Sequence, residues 1–72
     1  MMQPLVNINA ERGRVKMSQE KLAAHLGVTA KTLRLWVDGV NAMPTDKLLM
    51  TAELFNCSTD YLLGMSDKRE RG

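Results

Sequence analysis

The side chains with binding chemistry concentrate between Ser18 and Asp38. At about 100° per residue, Lys31, Arg34 and Leu35 fall opposite Leu33, Trp36 and Val37 if this stretch is helical. One face then packs inward. The other offers an ammonium, a guanidinium and the hydroxyls of Thr29 and Thr32, a set of donors suited to an anionic, acceptor-rich partner. Covalent chemistry has no comparable support. The chain holds one histidine, His25, and one cysteine, Cys57, with no paired carboxylates in a plausible cleft and no glycine-rich phosphate loop. His25 has no second metal ligand beside it and reads as an exposed helix residue. The expectation is therefore a non-enzyme with no metal, no cofactor and no small-molecule ligand.

Charge is unevenly distributed, which suits an anionic partner but by itself is better read as scattered solvation charge. Residues 1–36 carry Arg12, Arg14, Lys16, Lys21, Lys31 and Arg34 against Glu11 and Glu20, whereas residues 37–72 carry more acidic than basic groups. The whole chain is only +2, so the basic half matters more than the total. At 72 residues the chain is one domain, and its 44% apolar and 25% charged residues place it among globular rather than disordered sequences. A single cysteine cannot form an internal disulfide and points to a reducing compartment. No apolar run approaches the ~20 residues that span a bilayer. The start, Met1-Met2-Gln3-Pro4, lacks the features of a signal peptide. The reading is a soluble, cytoplasmic protein with no membrane partner.

These side chains must be positioned by helices, because no sustained period-2 alternation and no hairpin signal appear. Five helical segments are expected. The first carries Leu5, Ile8, Arg12 and Val15 on one stripe, with Pro4 in its first turn and Gly13 as a weak point that ends it early or frays it. Ser18 caps the second, whose inner face is Leu22, Ala23 and Leu26, and Gly27 ends it. Thr29 caps the third, which stops at Gly39. Thr45 caps the fourth, with Leu48, Thr51, Ala52 and Phe55 inward and Asn56 at its end. Ser58 opens a short fifth segment running through Tyr61, Leu62 and Leu63 to Gly64. Residues 1–65 form the domain, and 66–72 a charged tail without apolar anchors, expected to be mobile. The turn Leu26-Gly27-Val28-Thr29 is too short for antiparallel packing, so helices two and three must cross steeply as a helix-turn-helix, with Ala23 allowing close approach.

The run Ser18-Gln19-Glu20-Lys21-Leu22-Ala23-Ala24-His25-Leu26-Gly27-Val28-Thr29, followed by Thr32-Leu33, Trp36 and Gly39, resembles the phage repressor and Cro type of helix-turn-helix, the XRE family. Ala52-Glu53-Leu54-Phe55-Asn56 and Ser58-Thr59-Asp60-Tyr61-Leu62-Leu63-Gly64 are similar to the family's last two helices, so the resemblance covers about residues 5–65. It implies an all-α, compact five-helix lambda-repressor-like DNA-binding domain that binds a palindromic operator as a homodimer. Three departures stand out. Val37 occupies the position of a Glu that pairs with the equivalent of Arg12, leaving Asp38 as the nearby substitute. Pro44 falls one residue late. The loop Val40-Asn41-Ala42-Met43-Pro44 has no Lys or Arg.

The resemblance gives each side chain an expected role. Gln19 matches a phosphate-contacting glutamine at a helix amino terminus. The start of the recognition helix, Thr29, Ala30, Lys31 and Thr32, with Arg34 and Leu35 a turn on, faces the major groove. There Lys31 can reach guanine or phosphate, while Ala30 and Leu35 suit a thymine methyl. Asn41 and Thr45 replace a basic loop as neutral phosphate donors. Met50, Leu54, Leu62, Leu63 and Met65 form a candidate homodimer surface. The function expected is a sequence-specific double-stranded DNA-binding transcriptional regulator, a repressor acting by operator occupancy. The alternative is a protein-interaction module of the same fold, such as an anti-repressor or antitoxin subunit.

Overall fold

Five helices carry the chain in a computed structural model that describes residues 3–70: α1 (Val6–Val15), α2 (Gln19–Leu26), α3 (Ala30–Val37), α4 (Thr45–Phe55) and α5 (Thr59–Leu62). Met1, Met2, Arg71 and Gly72 lie outside the described residues, and with them part of the amino-terminal segment and the last two residues of the charged tail.

The helices stop where the backbone turns left-handed. Lys16, Gly27, Gly39, Asn56 and Gly64 all have positive φ. In each case the next amide reaches back to close the end: Met17 to Arg12, Val28 to Ala23, Val40 to Leu35, Cys57 to Ala52 and Met65 to Asp60, at 2.8–3.0 Å. This six-residue closure satisfies carbonyls that the helix leaves open. Gly27 meets no β-carbon penalty at φ 73°. Lys16 does, at φ 57°, and it shows why the first helix outruns its expected weak point. Gly13 sits inside α1 rather than ending it.

Open space surrounds Gly13, where an added β-carbon would meet nothing within 4 Å. Gly13→Ala should therefore stabilise the domain by about 0.5–1 kcal/mol, through lower chain entropy in the unfolded state. A urea midpoint that fails to rise would contradict this.

Helix starts follow the expected side chains at three of five positions. Ser18, Thr29 and Ser58 accept hydrogen bonds from the amides of Lys21, Thr32 and Tyr61 at 3.0, 3.1 and 3.1 Å. The other two differ. Leu5 precedes α1, so Pro4 lies before the helix rather than in its first turn, and Leu5 N–H is held by Val37 O at 2.8 Å. Thr45 is the first residue of α4, not its cap; Pro44 occupies the cap position and has no side chain to accept a bond.

The core gathers the inner faces expected for α2, α3 and α4. Leu22 and Leu33 are fully buried, and Ala23 is 2% exposed where α2 packs on α3. Leu5 and Ile8 join them from α1, but Val15 does not; it is 43% exposed. The buried side chain of α1 that the apolar stripe missed is Glu11.

Glu11 is buried as a charge hub. Its carboxylate accepts from Arg69 Nε at 3.0 Å, from Arg14 Nε at 3.1 Å and from the Tyr61 hydroxyl at 3.3 Å. The tail is thus not loose along its whole length: residues up to Arg69 fold back onto α1 because a buried carboxylate needs paired cations. Burial pushes the Glu11 carboxyl up, but the Arg69 and Arg14 guanidiniums outweigh it and hold it below its ordinary 4.5. A carboxyl depressed in the folded state contributes stability above its unfolded value, and that contribution is lost as pH falls through the folded value. Thermal midpoints should accordingly drop below about pH 4.5. In Glu11→Gln this part of the acid dependence should vanish; an unchanged slope would exclude Glu11 as its source.

Arg12 does not take Asp38 in place of the missing glutamate. It donates to Met17 O at 2.9 Å and to Asn9 Oδ1 at 3.0 Å, within its own helix and the turn after it. Its Nε is buried with no hydrogen-bond partner among the described residues. The Val37 side chain, 3% exposed, carries no acceptor for that guanidinium.

Candidate nucleic-acid interface

The outward surface of α3 is built by what α3 buries. Leu33, Trp36 and Val37 face the core, so rotation about the helix axis leaves Thr29, Lys31 and Arg34 exposed. Ala30, Thr32 and Leu35 are half-buried at the edges of this surface. Ala30 packs partly against the core, so it serves the scaffold as well as the outer face. Leu35 is not an idle exposed leucine, because part of it is covered by the protein.

Two hydroxyls at the start of α3 are already engaged with each other. Thr29 Oγ1 accepts from Thr32 N–H and donates to Thr32 Oγ1 at 3.0 Å. Thr29 therefore fixes the first turn of α3 through both the amide and the hydroxyl of Thr32.

Gln19 opens α2, half-buried, directly after the Ser18 cap. Ser18 Oγ takes the Lys21 amide, so the amides of Gln19 and Glu20 have no acceptor inside the helix. Unpaired amides and the positive end of the helix dipole make this a seat for an anionic oxygen. The α2–α3 packing joins this end to the outer face of α3.

Asn41 and Thr45 follow α3 in the chain, Asn41 in the loop and Thr45 at the start of α4. Val40 and Asn41 amides both bond Leu35 O, at 2.9 and 3.2 Å, which fastens the loop to the end of α3. Asn41 also lines a shallow apolar cleft of about 80 Å³ with Leu5, Trp36, Met43 and Leu63. Trp36 is 8% exposed and belongs to the core, as its helical position predicts. Thr45 is exposed in a first turn that Pro44 leaves uncapped, so that turn's amides remain open to an outside acceptor. Lys47 sits in the same turn. Its place two residues after Thr45 is the sequence signal for a cation here, lying just past the uncharged loop.

The candidate dimer residues divide. Leu62 is 0% exposed and belongs to the core, so it is withdrawn from any interface. Its alternation with Tyr61 and Leu63 gave no period long enough to orient a four-residue helix. Met50 and Leu54 are partly buried against the core. Leu63 and Met65 are exposed, and Leu49, absent from the expected set, is 49% exposed beside them in type.

Two helices packed together across a short turn, with an apolar inner face, an open α2 amino terminus and a polar, cationic outer face on α3, define a helix-turn-helix protein. The helix-turn-helix family matches residues 8–62, and the chain belongs to that family, in its XRE type. It is 33% identical over 52 residues to a Bacillus subtilis (strain 168) protein named the uncharacterized HTH-type transcriptional regulator YobD. That match covers 72% of this chain and 46% of the relative, so the chain spans about half the length of the curated relative it matches. No solved structure matches the chain. Among the described residues, no helix is long and apolar enough to cross a membrane.

Proposed function

We propose that this chain is a sequence-specific double-stranded DNA-binding transcriptional regulator, acting as a repressor by occupying a palindromic operator. The observation that carries the reading is the division of α3, with Leu33, Trp36 and Val37 sealed in the core and Thr29, Lys31, Thr32 and Arg34 available along the outer side. In this reading α3 lies in the major groove, Lys31 and Thr32 meet base edges or phosphate, and Ala30 and Leu35 meet thymine methyls. Gln19 and the α2 amides hold one phosphate. Asn41, Thr45 and the open first turn of α4 hold another, with Lys47 supplying the charge that the loop lacks. The relative's name as a transcriptional regulator supports the same assignment. A cytoplasmic location follows from it.

A homodimer completes the proposal. The exposed Leu49, Leu63 and Met65 offer apolar area, Met65 leaving 75% of its surface uncovered. A small domain gains from covering such area, and twofold symmetry matches two half-sites. Met50 and Leu54 border it.

A salt titration of duplex binding tests the reading. Affinity should fall steeply and log-linearly with salt as phosphate counterions are released. No detectable duplex binding at low salt would sink it in favour of a protein-interaction module of the same fold. Gln19→Ala should weaken specific and random duplexes alike, by about ten- to a hundredfold, the scale of one hydrogen bond to a charged acceptor. A loss confined to one operator base would contradict the phosphate role.

A further inference from the structure

Residues 66–70 are fastened at three places by two side chains. Arg69 Nε bonds both Glu11 oxygens at 3.0 Å, and its Nη2 reaches Phe55 O at 2.7 Å. Ser58 N–H donates to Arg69 O at 2.8 Å, and Ser58 Oγ donates to Lys68 O at 3.0 Å. The segment therefore touches α1, the end of α4 and the start of α5 at once.

Each contact answers a need of the element it reaches. Glu11 is buried and needs cations. The last turn of α4 contains no basic residue, and Arg69 brings a guanidinium to its terminal carbonyl from outside the helix. Ser58 caps α5 through Tyr61 N–H and uses the proton of the same hydroxyl on Lys68 O, so cap and tail share one side chain. Cys57 lies between Phe55 and Ser58 and is fully buried.

We propose that residues 66–70 are a strap, bolted by Arg69 to Glu11 and Phe55 O, that locks α1 to the α4–α5 junction and opens locally while the α2–α3 unit stays folded. The segment Ser66-Asp67-Lys68-Arg69-Glu70 contains no apolar side chain, and its hold is entirely polar. A segment with polar contacts and no buried apolar area belongs to the low-stability end of a domain's local openings. The helix-turn-helix, by contrast, rests on Leu22, Leu26 and Leu33, all buried to within 1%. Opening the strap leaves the reading surface intact while releasing α1's charged hub and uncovering the α4–α5 turn.

Native-state amide exchange on the full chain, with iodoacetamide labelling of Cys57, tests this. In the unmodified protein the Ser58 amide should exchange through an opening with weaker urea dependence than that of the Leu33 amide, which bonds Thr29 O inside the helix-turn-helix. Arg69→Ala should speed Ser58 exchange and Cys57 labelling by about tenfold or more while Leu33 exchange stays nearly unchanged. Arg69→Lys, which keeps the charge but loses the planar fork, should show the same separation in smaller measure. Unchanged Ser58 exchange in both variants would overturn the strap. So would a parallel rise at Ser58 and Leu33 with the same urea dependence, since the segment would then unfold only with the whole domain.

Discussion

Leu33→Ala is expected to cost about 2–5 kcal/mol, the range for removing a leucine from a core that cannot collapse around the gap. Leu33 is fully buried at the centre of the helix-turn-helix, where α2 and α3 pack together. Partners on both sides limit relaxation: Ala23 is already small, and Leu22 and Leu26 are themselves fully packed. A domain of 72 residues has a total stability of roughly 4–11 kcal/mol, so the variant loses a large share of it. Urea denaturation should show a lower midpoint at unchanged slope. DNA affinity should fall only in proportion to the folded fraction, because the outer face of α3 keeps all its side chains. A variant that stays fully folded yet loses binding would mean that Leu33 acts on the reading surface itself.

Lys31→Ala should give the opposite pattern. Lys31 is exposed on the first turn of α3, and its removal should leave stability within about 0.5 kcal/mol. If its ammonium reads a guanine edge, specific binding should weaken by about 1–3 kcal/mol and preference should relax at one base position. Equal losses on operator and random duplex would reassign it to a phosphate. Selection of bound sites from a random duplex pool reports the position directly, and any half-site symmetry reports the dimer. Together the two variants separate the scaffold from the surface it carries.

Most of the scaffold was legible because local rules and burial agreed. Ser18, Thr29 and Ser58 cap as their hydroxyls require, and Gly27 closes α2 because only a left-handed residue permits so abrupt a turn. The inner faces of α2, α3 and α4 followed from helical period alone. Two departures lie where local rules are too weak to decide a residue's place. Lys16 closes α1 despite its β-carbon, so the weak point looked for at Gly13 was the wrong one. Leu62 sits in a helix too short for a period to orient it.

The helix-turn-helix from Ser18 to Asp38 was determined by the sequence, since its caps, its turn and its apolar faces are all set within about twenty residues. The order of the outer face of α3 followed with it, from helix geometry. Tertiary structure alone decided the charged centre. Glu11 looks like a solvated first-helix acid, and Arg69 looks like part of a loose tail. They meet across 58 positions because the fold returns residues 66–70 to α1 and the α4–α5 junction. No periodicity encodes that pairing; it exists because a carboxylate excluded from water must find its cations wherever the fold brings them.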